Sequence, residues 1–295
     1  MFARTATLML LAVLANGPIG AAQPVANTQP ATGLPPGPDT QPVLGTPPTI
    51  GTQPGANAAL PVPPVPPRIA DGHDYDSCLA MLYDDPQGAL TFADTWAGSG
   101  GGDGAAHCRA LAQIELGNVE TGAEMLERLA DTAKAPDLAR ASVYGQAVQA
   151  WMMANKPARA FDAATLAMAL SPNDADLMID RAEAEGSMEH YHEAIDDLDH
   201  ALAIDPRRAE AFVLRASAWR QLNNLEVAAS DVARALAINP DSAEALLERG
   251  ILRQRTGNQA GAREDWQRAI SLDPNSTTAD LAEQDLALLE AGPGQ

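Results

Sequence analysis

The clearest chemical signal in this sequence comes from three arginines and three aspartates. Arg181, Arg215 and Arg249 recur at a spacing of 34 residues, and Asp197, Asp231 and Asp265 each follow sixteen residues later. A guanidinium withdrawn from water without a partner is costly, whereas a facing carboxylate accepts its planar fork of donors at two points. The pattern therefore predicts three structural ion pairs, Arg181 with Asp197, Arg215 with Asp231 and Arg249 with Asp265. The same arginines could also grip an acidic ligand, and the spacing alone leaves that reading open.

Catalytic chemistry has less to work with. Cys78 and Cys108 are the two cysteines of the chain. A disulfide is expected if the chain is exported to an oxidising compartment, and two buried thiols are the alternative. Two thiols without further ligands make a poor zinc site. His107 and Cys108 are neighbours that point in different directions on a helix, so they do not form a nucleophile and its base, and a hydrolase built around them has little support. His190 and His192 flank Tyr191, with Glu189 and Glu193 beside them. A weak transition-metal site is one reading and an exposed turn is the simpler one. His73 and His200 stand apart, and no Ser-His-Asp order or cofactor fingerprint is present. The expectation is a non-enzymatic protein without cofactor or metal.

The elements that position these residues follow from composition. Of 295 residues, 46% are hydrophobic but only 4% aromatic, which favours closely packed helices over sheets. The first residues read as a secretory signal over 1–22: Arg4, an apolar run from Ala6 to Ala15, a Gly17-Pro18 break, then Gly20, Ala21 and Ala22. That run is shorter than the ~20 residues of a membrane span, so no transmembrane span is expected in the mature chain, and the periplasm of a bacterial cell is the expected location. Residues 23–68 read as a disordered, proline-rich linker, in which Thr28-Gln29-Pro30, Thr40-Gln41-Pro42 and Thr52-Gln53-Pro54 recur at a spacing of twelve. Only Arg4, Asp39 and Arg68 are charged in these first 68 residues, so the acidity behind the net charge of −20 falls on residues 69–295. Such acidity repels phosphate backbones and argues against nucleic acid.

Tyr75 to Tyr83 and Pro86 to Trp96 read as short helices, followed by a flexible interhelical loop at Gly98-Ser99-Gly100-Gly101-Gly102. Beyond Ala141 the chain superposes on itself with a shift of 34 residues. Asp-Pro or Asn-Pro closes successive units at Pro206, Pro240 and Pro274, and Ser171-Pro172 closes an earlier one. In phase with these, small residues recur where two helices must touch: Ala182, Ala194 and Ala201, then Ala216, Ala228 and Ala235, then Gly250, Ala262 and Ala269. Leu198, Val232 and Trp266 fill the space alongside.

These residues resemble the tetratricopeptide repeat family. The resemblance implies an all-α, right-handed superhelical solenoid of antiparallel helix pairs. Four units are expected over 141–276, with N-terminal helices and a degenerate unit over 73–136, four intervening residues from Asp137 to Arg140, and a polar-faced capping helix over 277–291. In this register Arg181, Arg215 and Arg249 replace a more usual leucine. The resemblance also implies a concave groove lined by the first helix of each pair, where a protein or peptide partner lies. Here the matching positions are Asp176, Ile179, Glu183, Glu210, Val213, Ser217, Arg220, Gln221, Glu244, Leu247 and Arg255, with Met152 and Met153 upstream. This mixture points to a basic or apolar partner segment, and the positions cannot form the lysine and asparagine clamp that holds a terminal carboxylate. A scaffold of the cell envelope is the leading function, and a self-associating structural accessory with an empty groove is the alternative.

Overall fold

The computed structural model describes residues 68–291, and the signal and linker readings over 1–67 lie outside them. The described residues form thirteen α-helices and no strand. They are α1 (His73–Asp84), α2 (Pro86–Gly98), α3 (Gly102–Glu115), α4 (Val119–Thr132), α5 (Asp137–Met153), α6 (Pro157–Leu170), α7 (Ala175–Ser187), α8 (Tyr191–Ile204), α9 (Ala209–Gln221), α10 (Leu225–Ile238), α11 (Ala243–Arg255), α12 (Gln259–Leu272) and α13 (Thr277–Ala291). Each packs on its neighbour in chain order, and the first helices α5, α7, α9, α11 and α13 also touch one another in series. They form an inner layer, with α6, α8, α10 and α12 outside it.

Local chemistry sets the ends of these helices. Prolines 172, 206, 240 and 274 each lie two residues beyond α6, α8, α10 and α12, where a ring without an N–H donor cannot extend a helix. Asp174 and Ser242 cap α7 and α11, accepting from the N–H groups of Asp176 and Ala245. Inside each hairpin the chain reverses through one residue of positive φ: Gly117, Asn155, Glu189, Asn223 and Gly257. Glycine and asparagine adopt that conformation readily, and Glu189 does so against its side-chain sterics.

These turn residues recur every 34 positions from Asn155 onward, but Gly117 and Asn155 are 38 apart. The four extra residues, Asp137 to Arg140, do not form the expected connector. They are the first turn of α5, which has 17 residues against 13 in α7, α9 and α11. Asp137 places a carboxylate in the first turn, and Arg140 Nε reaches back to the carbonyl of Ala130 at the end of α4 (2.7 Å).

The small residues meet in the hairpins. Ala182, Ala194, Ala201, Ala216, Ala228, Ala235, Ala262 and Ala269 are buried, with Leu198, Val232 and Trp266 beside them. In the last pair the small position is Gly250, where a Cβ would overlap the Trp266 indole. The N-terminal helices share the core of the units behind them. Their buried residues, from Ile69 and Tyr75 through Leu126 and Leu129, belong to one continuous core with Trp151, Ala164 and Leu177. The glycine-rich connector is also more than a flexible loop, because Gly101 lies against Trp96 where a Cβ would overlap the ring, as does Gly104 just inside α3. Cys78 of α1 and Cys108 of α3 are buried and joined in a disulfide, with Cα atoms 6.2 Å apart.

Candidate functional site

The inner face is assembled from one stripe of each first helix. Residues three or four apart share a face, so Asp176, Ile179 and Glu183 follow one another on α7, as do Glu210, Val213, Ser217, Arg220 and Gln221 on α9, and Glu244, Leu247 and Arg255 on α11. Within this stripe the polar rim and the apolar floor separate. Asp176, Glu183, Glu210, Gln221 and Glu244 are half-buried and Arg255 is exposed. Ile179, Val213 and Leu247, expected as ligand-facing apolar positions, are buried instead, because adjacent first helices close over them. Ser217 and Arg220 are buried as well. Accessible apolar surface is supplied upstream by Met153, which is 56% exposed, with Met152 half-buried beside it.

The charges of this face are organised by bonds within the chain. Arg208, in the connector before α9, reaches both Asp176 of α7 and Glu210 of α9. Arg220 donates Nε to Glu248 of α11 (2.6 Å) and Nη2 to the hydroxyl of Ser217 (3.1 Å). Arg255 crosses from α11 to the carbonyl of Arg220 (3.2 Å) and to Oδ1 of Asn223 (3.0 Å). Both arginines of the expected groove are therefore committed to their own chain. Glu248 is 1% exposed, and burial raises its pKa against the opposing pull of Arg220.

Arg208 and Glu248 were missing from the residues marked by sequence pattern. Glu248 has Asp180 and Leu214 at the equivalent places and so carries no periodic signal.

The three arginine and aspartate pairs lie in the hairpins, away from the inner face. Arg181 donates Nε and Nη2 to the two oxygens of Asp197 (2.5 and 2.6 Å). Arg215 does the same to Asp231 and also reaches Asp199 of the preceding pair. Arg249 binds Asp265 (2.9 and 2.7 Å), which accepts a further bond from Arg253 (2.7 Å). The aspartates are buried and the arginines half-buried. The Nε–Nη2 edge of each fork is thus occupied internally, and Arg215 also commits Nη1. Glu185 lies near the first pair, and burial followed by repulsion from Asp197 pushes its pKa up to about 7.

At the N-terminal end the Tyr75 hydroxyl contacts Nδ1 of His107 (2.6 Å), and Nε2 of His107 contacts Oε1 of Gln146 (2.6 Å). This chain of bonds ties α1, α3 and α5 together around a neutral imidazole whose pKa is lowered by burial. His190 and His192 are exposed at the start of α8. Among the described residues no group of three or more His, Cys, Asp or Glu side chains is placed to hold a metal ion, and no helix is long and apolar enough to cross a membrane.

The geometry is that of a tetratricopeptide-type solenoid, and the comparisons agree. Residues 214–287 match the tetratricopeptide repeat family model. A tetratricopeptide repeat protein from Parabacteroides merdae is similar in structure, with a TM-score of 0.56 at 14% identity over 71% of this chain and 83% of that one. The Cut9–Hcn1 hetero-tetramer of the APC/C gives 0.55 at 14% identity, over 72% of this chain and 42% of that one. A thermophilic tetratricopeptide protein of Thermus thermophilus, TTC0263, gives 0.52 at 16% identity, over 63% of this chain and all of that one. No curated protein matches the chain. Arrays of this kind act through extended surfaces that receive protein or peptide partners, and they are typically scaffolds rather than enzymes.

Proposed function

We propose that the inner face between Asp176 and Arg255 binds an extended segment of another polypeptide, basic or apolar in character, and that the chain does so as a non-enzymatic scaffold of the cell envelope. One observation carries this reading. Asp176, Glu183, Glu210 and Glu244 are half-buried at the surface of the inner layer, where they outnumber the half-buried Arg208 and the exposed Arg255, and Arg220 is buried beneath them. Arg208 offsets part of that acidity through its bonds to Asp176 and Glu210. A net negative surface flanked by Met152 and Met153 suits lysine or arginine side chains interleaved with apolar ones. Export to the periplasm is supported by Arg4, the apolar run Ala6 to Ala15 and the small residues Ala21 and Ala22. Mature protein then begins near Gln23, and recovery of chain with Met1 intact from a membrane fraction would contradict that part.

The test of binding uses the whole mature chain and three sets of synthetic twelve-residue peptides: basic and apolar, neutral and polar, and acidic. The basic set should bind with an affinity that falls as salt rises, and Glu183→Lys with Glu244→Lys should weaken it at least tenfold and flatten the salt dependence. Equal binding of all three sets, or affinity unchanged in the double variant, places the site elsewhere.

A further inference from the structure

The hairpin of α7 and α8 encloses a carboxyl group that no cation holds. Among the described residues, two carboxyl oxygens are buried without a hydrogen-bond partner, Oε2 of Glu185 and Oε2 of Glu248. Glu248 receives Arg220 on its other oxygen (2.6 Å). Glu185 is 6% exposed and has no such bond.

The register of the repeat shows what Glu185 faces. It stands four residues after Arg181, as Trp219 stands after Arg215 and Arg253 after Arg249. In α11 this position reaches the paired aspartate, because Arg253 Nη1 bonds Oδ2 of Asp265 (2.7 Å) beside the fork of Arg249. An indole fills the place in α9. In α7 it brings a carboxyl group towards Asp197, whose two oxygens already hold Nε and Nη2 of Arg181. Two buried carboxyl groups thus share one arginine.

The other helices packed on α7 do not redress the balance. α8 adds Glu193 and Asp196, which act on Glu185 with the same sign as Asp197, and its His192 and His200 are exposed. α6 adds the exposed Asp162, α9 adds Glu210, and α7 itself carries Asp180 and Glu183. The arginines on these helices and on α5, Arg140, Arg159, Arg181, Arg215 and Arg220, are each engaged by another carboxylate. An ionised Glu185 would be a buried charge without a donor for Oε2, and a proton removes that charge. The same hairpin reverses through Glu189 at φ 65°, where asparagine or glycine stands in the others, so it closes against backbone strain as well.

We propose that Glu185 is protonated while the α7–α8 hairpin is closed, and that this hairpin is the segment of the array that opens as the proton leaves. Burial, reinforced by Asp197 and opposed by Arg181, lifts the Glu185 pKa to about 7, in agreement with that assignment. A carboxyl raised in this way contributes full stability below its ordinary range, and the contribution is lost as pH rises through about 7. Each repeat contacts only its neighbours, so one hairpin can open without unfolding the whole array. Opening would withdraw α7, with Asp176 and Glu183, from the inner layer, whatever that face binds.

Hydrogen exchange of the full chain, read by mass spectrometry at pH 5 and pH 8 and corrected for intrinsic rates, tests this directly. Residues 175–204 should open at least tenfold more often at pH 8 than at pH 5, relative to residues 243–272, where Arg253 takes the place of Glu185. Glu185→Gln should remove the difference, and Glu185→Met is the second variant should the amide distort the hairpin. Wild-type opening of 175–204 that follows the reference at both pH values would overturn the proposal. So would a pH dependence that survives loss of the carboxyl in both variants.

Discussion

Arg215 and Asp231 face each other across one hairpin through two parallel hydrogen bonds of 2.8 Å, from Nε and Nη2 to the two carboxylate oxygens. The aspartate is almost wholly buried and the arginine largely so, and a third contact carries Arg215 to Asp199 of the preceding pair. Breaking a pair of this kind leaves a buried carboxylate without its cation, which costs more than the pair itself contributes. Arg215→Ala should lower the unfolding free energy by roughly 3 kcal/mol. An unchanged midpoint in urea denaturation would show that the pair is superficial.

Gly250 and Trp266 occupy the places that Ala182 and Leu198 fill in one hairpin and Ala216 and Val232 in the next. The glycine is required because the indole fills the space of a Cβ and is held by a bond from Nε1 to the carbonyl of Leu247 (3.2 Å). Gly250→Ala should cost about 1–3 kcal/mol by overpacking. Adding Trp266→Leu to that variant should recover part of the loss, because alanine opposite leucine is the arrangement of the earlier hairpin. A double-mutant cycle showing simple additivity would refute the coupling.

Glu189 occupies the left-handed turn position that Asn155, Asn223 and Gly257 fill elsewhere, with φ of 65°. Its side chain is exposed, so replacement removes strain without disturbing a core. Glu189→Asn should stabilise the protein by about 0.5–1 kcal/mol. A thermal midpoint that falls in this variant would mean the glutamate makes contacts that outweigh its backbone strain.

Such regularities mark how far the sequence was legible. The prolines and small residues locate the hairpins because every unit repeats the same contacts, and the spacing of sixteen between arginine and aspartate is legible because both partners lie within one hairpin. Relations between units carry no such signal. Arg208 joins Asp176 to Glu210 across 32 and two residues of sequence, and Arg220 meets a glutamate whose place is taken by Leu214 in the preceding unit. The burial of Ile179, Val213 and Leu247 depends on how closely neighbouring first helices approach, which no single stripe of residues encodes. Asp137 to Arg140 looked like a gap between repeats because they break the period, yet an added turn at a helix start breaks the period equally well.

His107 receives contacts at both ring nitrogens, from the buried Tyr75 and the half-buried Gln146, and is itself buried between α1, α3 and α5. Its pKa lies below the ordinary 6.5 because burial disfavours the imidazolium. Stability drawn from this site is therefore full above pH 6.5 and is lost as pH falls through the lower folded-state value. In an NMR titration the His107 ring should remain neutral at pH 6.5. A ring already half-protonated there would contradict the buried, neutral arrangement.

If the proposed function holds, the inner layer, and not the outer one, receives the partner. Photocrosslinking groups placed singly at Glu183 and Gln221 on first helices, and at Ala229 and Ala233 on the second helix α10, compare the two faces with the tightest basic peptide of the binding series. Crosslinks are predicted from Glu183 and Gln221, competed by unlabelled peptide and lost in the Glu244→Lys background, with none from Ala229 or Ala233. Crosslinks confined to Ala229 and Ala233, or inner positions that label only a second copy of the chain, would contradict that placement.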